Sequence, residues 1–142
     1  GWPVPTDYFE EIPLCTSTDQ TGCFCSWRTW NRKYGLKNGN EPQVLVNNPL
    51  NWKAEEGHII PKSENKGAVL LKFNKIIPEV TDAQVYKGFL LAKKPKFRGS
   101  FFMRTKNYQV GDLNLYYINV RENAEMRAET YLLGRDVEKI SN

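Results

Sequence analysis

Regular spacing of apolar side chains near the C-terminus constrains the fold more than any other feature of the sequence. The apolar residues of this stretch recur every three or four positions, at Leu113, Tyr116, Tyr117, Val120, Ala124, Ala128 and Tyr131. This spacing puts them on one face of an α-helix, which we predict over residues 113–133. Asp112 is placed to cap its N-terminus and Gly134 to end it. A face so broad and aromatic is expected to pack against a sheet.

Four short apolar segments upstream are candidates for the strands of that sheet. They are residues 43–47, 67–73, 86–92 and 100–104. Residues 13–42 are rich in Thr, Gly, Asn and Asp, so we expect long loops there. The sequence therefore predicts an α/β fold with long loops and a long C-terminal helix. Because four strands are too few for a doubly wound sheet, the chain is expected to be either a single domain or the C-terminal half of a larger one.

The composition favours a folded domain. Of the 142 residues, 40% are hydrophobic and 25% are charged, which suits one domain with its own core and not a disordered chain. No run of about 18 apolar residues occurs, so no transmembrane segment is predicted. The chain begins with Gly and lacks the basic and apolar regions of a signal peptide, so we expect a mature form or a fragment.

All three cysteines lie within eleven residues, at Cys15, Cys23 and Cys25. Cys15 and Cys23 could close a short loop, whereas one intervening residue makes a Cys23–Cys25 bridge geometrically poor. The thiol left over is expected to be buried. A zinc site with His58 is the alternative, but the spacing differs from the usual C-x₂-C and His58 is distant. We therefore predict a Cys15–Cys23 disulfide, no metal and no cofactor, and a secreted, periplasmic or cell-surface protein.

The net charge of +4 is unevenly distributed along the chain. Residues 83–111 carry seven basic side chains and no acidic one, whereas the rest carries 13 basic and 16 acidic side chains. Basic residues interleaved with aromatic ones can bind single-stranded nucleic acid. The alternative, which we favour, is that Phe89 and Leu91 point inward from a strand and that the lysines flank it. Nucleic acid is therefore not an expected partner.

Several strings of residues together resemble a known family. They are 1–5 (GWPVP), 21–29 (TGCFCSWRT), 47–52 (NNPLNW), 65–70 (NKGAVL), 111–117 (GDLNLYY) and 119–123 (NVREN). In this order, and over nearly the whole chain, they resemble a bacterial family of unknown function that sits among the lipase-like α/β-hydrolases. Members of that group cleave esters through a Ser in a Gly-x-Ser-x-Gly turn between a strand and a helix.

The resemblance implies that this chain is the second half of such an enzyme. None of its serines has Gly both two residues before and two residues after it: Ser17, Ser26, Ser63, Ser100 and Ser141. The chain alone is therefore expected to be inactive. The upstream half of the same protein, or a second copy of the chain, is the expected partner, and an ester or lipid is the expected substrate.

By the hydrolase order of Ser, acid and His, the acid and His regions should lie in this chain. The acid is expected after the strand at 43–47, where Asn48 and its neighbours offer no carboxylate. The resemblance aligns the family's His with Gln109, three residues before Asp112, and Gln cannot accept a proton from Ser. The catalytic candidates are thus Gln109, Asp112 and His58. Asp112 is alternatively only a helix cap, and His58 only a loop residue.

The substrate-pocket candidates are mainly aromatic: Trp27, Trp30, Asn48, Trp52 and Asn114. The alternative for the tryptophans is that they fill the loop-rich region as core side chains, which we favour because large exposed aromatic clusters are unusual in monomers. Asn114, Asn119 and Asn123 are expected to bond neighbouring loops.

Three functional hypotheses follow from these features. The first is the C-terminal part of a secreted ester hydrolase. The second is a non-catalytic binding module with an aromatic and basic face. The third is a divergent hydrolase that has lost catalysis, which the Gln at position 109 motivates.

Overall fold

The computed structural model describes residues 3–69, 74–98, 100 and 106–141, without the side chains of residues 110, 136–139 and 141. The strands and helices in chain order are β1 (Thr29–Asn31), α1 (Arg32–Asn38), β2 (Ile59–Ile60), β3 (Ala68–Val69), β4 (Ile76–Ile77), β5 (Ala83–Tyr86), β6 (Phe89–Ala92), α2 (Asp112–Leu115) and α3 (Tyr117–Ser141). Short 3-10 turns span Lys62–Glu64 and Gln109–Gly111. The predicted α/β class with a C-terminal helix is confirmed at this level.

The main sheet has four strands in the order β1-β6-β5-β2. β1 runs parallel to β6, and the other pairs are antiparallel. The outer edge of β1 is covered by residues 106–108, because the Asn31 N–H donates to the Lys106 carbonyl and the Tyr108 N–H donates to the Thr29 carbonyl. β3 and β4 form a separate antiparallel pair.

A tight hairpin joins β5 to β6. Its two turn residues, Lys87 and Gly88, both have positive φ, at 43° and 79°, which is the geometry of a type I′ turn. The Glu56 carboxylate accepts the Lys87 N–H at 2.5 Å. The single strand predicted over 86–92 is therefore wrong at its start, because the chain reverses at 87–88.

Two other expectations about the strands need correction. Residues 13–42 are not all loop, since β1 and α1 lie there. Residues 43–47 form no regular strand, because their amides bond to separate segments: Leu45 N–H to the Val4 carbonyl and Asn47 N–H to the Ser26 carbonyl. The segment predicted at 67–73 is a strand at Ala68–Val69, and its residues 70–73 lie outside the described residues. Most of 100–104 also lies outside them.

β6 is buried on both faces because it is a central strand. On one face α1 packs against it so closely that a Cβ on Gly35 would lie 2.2 Å from a Leu91 methyl group. The other face adjoins the main hydrophobic core. Its buried members are Val44, Val46, Leu50, Ala83, Val85, Leu90, Ala92, Tyr108, Leu115 and Tyr116. The predicted inward orientation of Phe89 and Leu91 is confirmed, since both are buried.

The C-terminal helix differs from its prediction in three respects. It is interrupted at Tyr116, which separates α2 from α3. It continues through Gly134 to Ser141, so Gly134 does not end it. Only its first part packs on the core: Leu115, Tyr116, Asn119 and Asn123 are buried, whereas residues 131–135 are exposed. The expectation that the whole helix lies against the sheet is therefore wrong.

Within the described residues, no helix combines the length and the apolar character needed to cross a membrane.

Candidate functional site

A buried ion pair links the start of α1 to the start of β5. The Arg32 guanidinium donates two parallel hydrogen bonds to the Asp82 carboxylate, at 2.8 and 2.9 Å. Asp82 also accepts the Lys93 N–H at 3.0 Å. Both side chains of the pair are about nine-tenths buried. Two parallel bonds fix the geometry of such a pair, so Arg32 and Asp82 hold α1 in place over the sheet.

A second buried carboxylate, Asp112, lies at the first turn of α2. Its Oδ1 accepts the Thr29 N–H of β1 at 2.9 Å, and only 4% of the residue is exposed. The N-cap of α2 is Gly111, which provides no side-chain cap. Asp112 is therefore not the helix cap that the sequence favours. Burial raises the pKa of its carboxyl, and the bonds from Thr29 oppose that rise.

Tyr116 completes the polar cluster, which we define as Thr29, Arg32, Asp82, Asp112 and Tyr116. Tyr116 is fully buried. Burial raises the pKa of its phenol well above the ordinary value of 10.0, and the Asp112 charge raises it further. Among the described residues, neither the Tyr116 hydroxyl nor the Thr29 hydroxyl makes a hydrogen bond of standard geometry. The phenol therefore stays protonated and available as a donor at neutral pH.

The polar cluster contains two carboxylates, two hydroxyl groups and one guanidinium, so the carboxylates are its candidate acid–base groups. A carboxyl whose pKa burial raises is a common component of active sites. Arg32 and Asp82 neutralise each other's charge, and their hydrogen bonds hold α1 against the sheet. Asp112 is thus the member of the polar cluster that remains a candidate for a catalytic or positioning acid.

The other two catalytic candidates are placed differently. His58 is exposed in the loop before β2. Two acids that precede His58 in the same loop are engaged elsewhere: Glu56 accepts the Lys87 N–H, and Glu55 pairs with Lys53 at 3.4 Å. Gln109 begins the 3-10 turn that leads into α2 and is partly buried. Gln109 and Asp112 therefore share one turn, whereas His58 lies in a separate loop.

The pocket candidates are mostly structural. Trp52 is buried, and its ring meets Trp27 edge-on at 6.0 Å between centroids. Trp30 packs between Tyr34 and Phe89. These contacts support the interpretation that the tryptophans fill the core.

The two asparagine candidates, Asn48 and Asn114, differ in burial. Asn48 is buried, accepts the Leu50 N–H at 3.0 Å and donates to the Ala83 carbonyl at 3.2 Å. It thereby fastens the 48–52 turn to β5. Asn114 lies on α2, partly exposed. The expected bonds from the last helix to neighbouring loops are present at Asn119, which donates to the Glu64 carbonyl, and at Asn123, which donates to the Thr18 carbonyl.

The disulfide forms between Cys15 and Cys23, with a sulfur–sulfur distance of 2.01 Å. Cys25 is free and exposed, so the expectation of a buried third thiol is wrong. The described residues contain no group of three or more His, Cys, Asp or Glu side chains that could hold a metal ion.

Sequence reasoning missed most of the polar cluster. Asp82 had a usable signal, since it directly precedes β5, in which buried and half-buried residues alternate. Thr29 and Arg32 fell in a segment assigned to loops, and Tyr116 was assigned only to the apolar face of a helix.

No protein-family model matches the chain, and neither a curated protein nor a solved structure shows significant similarity to it.

Proposed function

We propose that this chain forms the C-terminal part of a secreted lipase-like or esterase-like α/β-hydrolase. It contributes part of the sheet, the last helices and the buried acid Asp112. The nucleophilic Ser comes from an upstream segment, and the chain alone is inactive. The resemblance in motif order motivates the proposal. The observation that supports it is the burial of Asp112 against β1, in the turn that also contains Gln109.

The proposed chemistry is acyl transfer from an ester to Ser and then to water. Asp112 follows position 109 in the chain, so in the hydrolase order of Ser, acid and His it would act as a buried carboxylate that positions neighbouring groups and not as the triad acid. Gln109 stands where the resemblance places a base and cannot accept the Ser proton. We therefore expect slow ester hydrolysis even in the complete enzyme.

The test compares this chain with the product of the complete reading frame. We expect the chain to leave p-nitrophenyl butyrate unhydrolysed and to resist labelling by a fluorophosphonate. The complete product should hydrolyse the ester slowly and should be labelled slowly, at one Ser upstream of Gly1. Labelling of the chain itself, or a reading frame without an elbow Ser, would refute the proposal.

A second experiment tests the position of Gln109. In the complete protein, Gln109→His should raise the rate of ester hydrolysis by about a hundredfold, the low end of what a general base supplies. The matched control is Gln43→His, because Gln43 is exposed in a separate loop. An equal rate in both variants would show that residue 109 does not face the Ser.

The proposed partner is the upstream half of the protein or a second copy of the chain. The far part of α3 exposes several large apolar side chains, namely Met126, Tyr131, Leu132, Leu133 and Ile140. Apolar surface of this extent is typical of contact sites. Sedimentation of the chain with and without the upstream half should show which partner binds, and a monomer in both samples would contradict this part of the proposal.

The second candidate function is a binding module. It is favoured by a surface on which Lys106 lies 5.2 Å from the Tyr34 ring centre, beside the partly exposed Trp30 and the exposed Lys33 and Lys37. Such a surface suits an anionic membrane. Binding to phosphatidylserine vesicles, lost in Lys106→Glu and absent with neutral vesicles, would favour this function. Absence of binding to both vesicle types would exclude it.

A further inference from the structure

The Cys15–Cys23 disulfide lies against a single guanidinium group, that of Arg127 on α3. The Arg127 Nη1 atom is 3.0 Å from the Cys15 sulfur and 3.4 Å from the Cys23 sulfur. The same nitrogen also donates to the Gln20 carbonyl. A permanent positive charge is thus in contact with both sulfurs of the bridge.

Other bonds hold Arg127 in this position independently of the sulfurs. Its Nε donates to the Asn123 Oδ1 at 2.6 Å, and its Nη2 donates to the Ser17 carbonyl at 2.7 Å. Asn123 in turn donates to the Thr18 carbonyl at 2.6 Å. The charged residue of the loop itself, Asp19, accepts the Ser17 hydroxyl at 2.9 Å in an exposed position.

This placement matters because a cation affects the two redox states of a cysteine pair unequally. The sulfur of a neutral disulfide is a weak acceptor, so the guanidinium gains little from it. A thiolate carries a full charge, and an adjacent Arg lowers the pKa of the thiol. Arg127 therefore favours any step in which one of these sulfurs becomes a thiolate.

The two sulfurs differ in accessibility. Cys15 is 1% exposed, whereas Cys23 is only partly buried. We therefore expect an external thiolate to attack the sulfur of the more exposed residue, Cys23. Attack there leaves the electron pair on the Cys15 sulfur, which is the nearer of the two to Arg127.

We propose that Cys15–Cys23 is a redox-active disulfide that low-molecular-weight thiols reduce, with Arg127 stabilising the departing Cys15 thiolate. The first thiolate forms a mixed disulfide with Cys23, and the Cys15–Cys23 bond breaks with its electron pair on Cys15. A second thiolate attacks the sulfur of the first and releases Cys23. Two thiols are oxidised to one disulfide, and the protein cysteines gain two electrons and take up protons from solvent. The inference does not depend on the hydrolase proposal.

The test measures the rate of reduction by excess glutathione, followed by alkylation and mass spectrometry. Cys25→Ser serves as the parent in all samples to prevent disulfide exchange. Arg127→Gln should slow reduction about threefold to tenfold, because the leaving thiolate loses its counter-charge. Arg127→Lys keeps a positive charge and should retain most of the rate. If Arg127 only held the loop in place, Arg127→Gln would loosen it and speed reduction, which would overturn the proposal.

Two further readouts need no Arg127 variant. The mixed disulfide trapped early in the reaction should carry glutathione on Cys23, and its presence on Cys15 would contradict the assigned direction. In the reduced Cys25→Ser protein, the pH dependence of alkylation should give a Cys15 thiol pKa below the ordinary value of about 8.5. A pKa at or above that value would overturn the proposal.

Discussion

Gly88 occupies a position in the β5–β6 turn where a side chain has no room. Its φ is +79°, and a Cβ there would lie 1.9 Å from the Glu41 carbonyl oxygen. Gly88→Ala should lower the free energy of unfolding by at least about 3 kcal/mol, because backbone strain and the displacement of the loop at Glu41 add together. Urea unfolding monitored by tryptophan fluorescence measures this loss.

The matched control for that variant is Gly57→Ala. Gly57 has a φ of +89° with nothing within 4 Å of the added Cβ, so only the backbone strain of about 1 kcal/mol is expected. Equal losses in the two variants would show that the approach of Glu41 to the turn does not contribute.

Asp112 should make stability depend on pH in the direction expected for an acid whose pKa is higher in the folded state than in the unfolded state. Burial raises the pKa of its carboxyl above the ordinary 3.8, so folding favours the protonated form. Its contribution is complete below pH 3.8 and decreases as the pH rises through the folded pKa. In Asp112→Asn the side-chain oxygen can still accept the Thr29 N–H, but the charge is absent.

The measurement is the difference in the free energy of unfolding between wild type and Asp112→Asn from pH 3.5 to 7. The wild type should lose stability relative to the variant as the pH rises. A relative gain with pH would mean that a positive charge stabilises the Asp112 carboxylate and that its folded pKa is lowered.

At the scale of elements, α3 is a long helix whose far part has little to pack against. Gly134 lies inside it, with open space around a built Cβ. Gly134→Ala should therefore raise the helix content and stabilise α3 locally by up to about 1 kcal/mol. Hydrogen exchange of the amides of 128–135 should slow.

Gly134→Ala also distinguishes a helix that continues through Gly134, as observed, from one that ends there, as the sequence predicts. If Gly134 ended the helix in the left-handed conformation, Ala would be destabilising there and exchange would quicken. Ala128→Gly is the converse control, because Ala128 is exposed on the same helix. This variant should lower the stability of α3 by about as much as Gly134→Ala raises it.

At the scale of the whole molecule, the disulfide loop joins the N-terminal segment to the last helix. Cys15 and Cys23 are eight positions apart in the sequence. The loop between them contacts α3 through Arg127 and Asn123. The Cys15→Ser, Cys23→Ser double variant should lose about 2.5 kcal/mol of stability, as expected for a loop of this length. Urea unfolding at fixed pH measures the loss.

The control is Cys25→Ser, since Cys25 is free and exposed. It should change stability by less than about 0.5 kcal/mol. If the double variant is as stable as the control, the N-terminal segment is held by its hydrogen bonds alone.

Local patterns in the sequence determined the α/β class, the C-terminal helix and the cysteines able to pair. Apolar periodicity predicts a helix whatever it packs on, and residues 113–133 are helical except at Tyr116. The apolar character of 86–92 predicted a strand, and β6 forms over Phe89–Ala92 within it. Each of these features depends on neighbours in the chain, so the sequence contains the information directly.

Tertiary structure decided the features that depend on distant partners. Residues 43–47 have a strand-like composition, but their amides bond to segments around Val4 and Ser26, so no ladder forms. Asp112 resembles a helix cap in sequence, yet its carboxylate bonds Thr29, 83 positions away. Arg127 meets the disulfide across 112 positions. Contacts at such separations depend on how elements pack, because no local spacing encodes which distant side chain fills a given position.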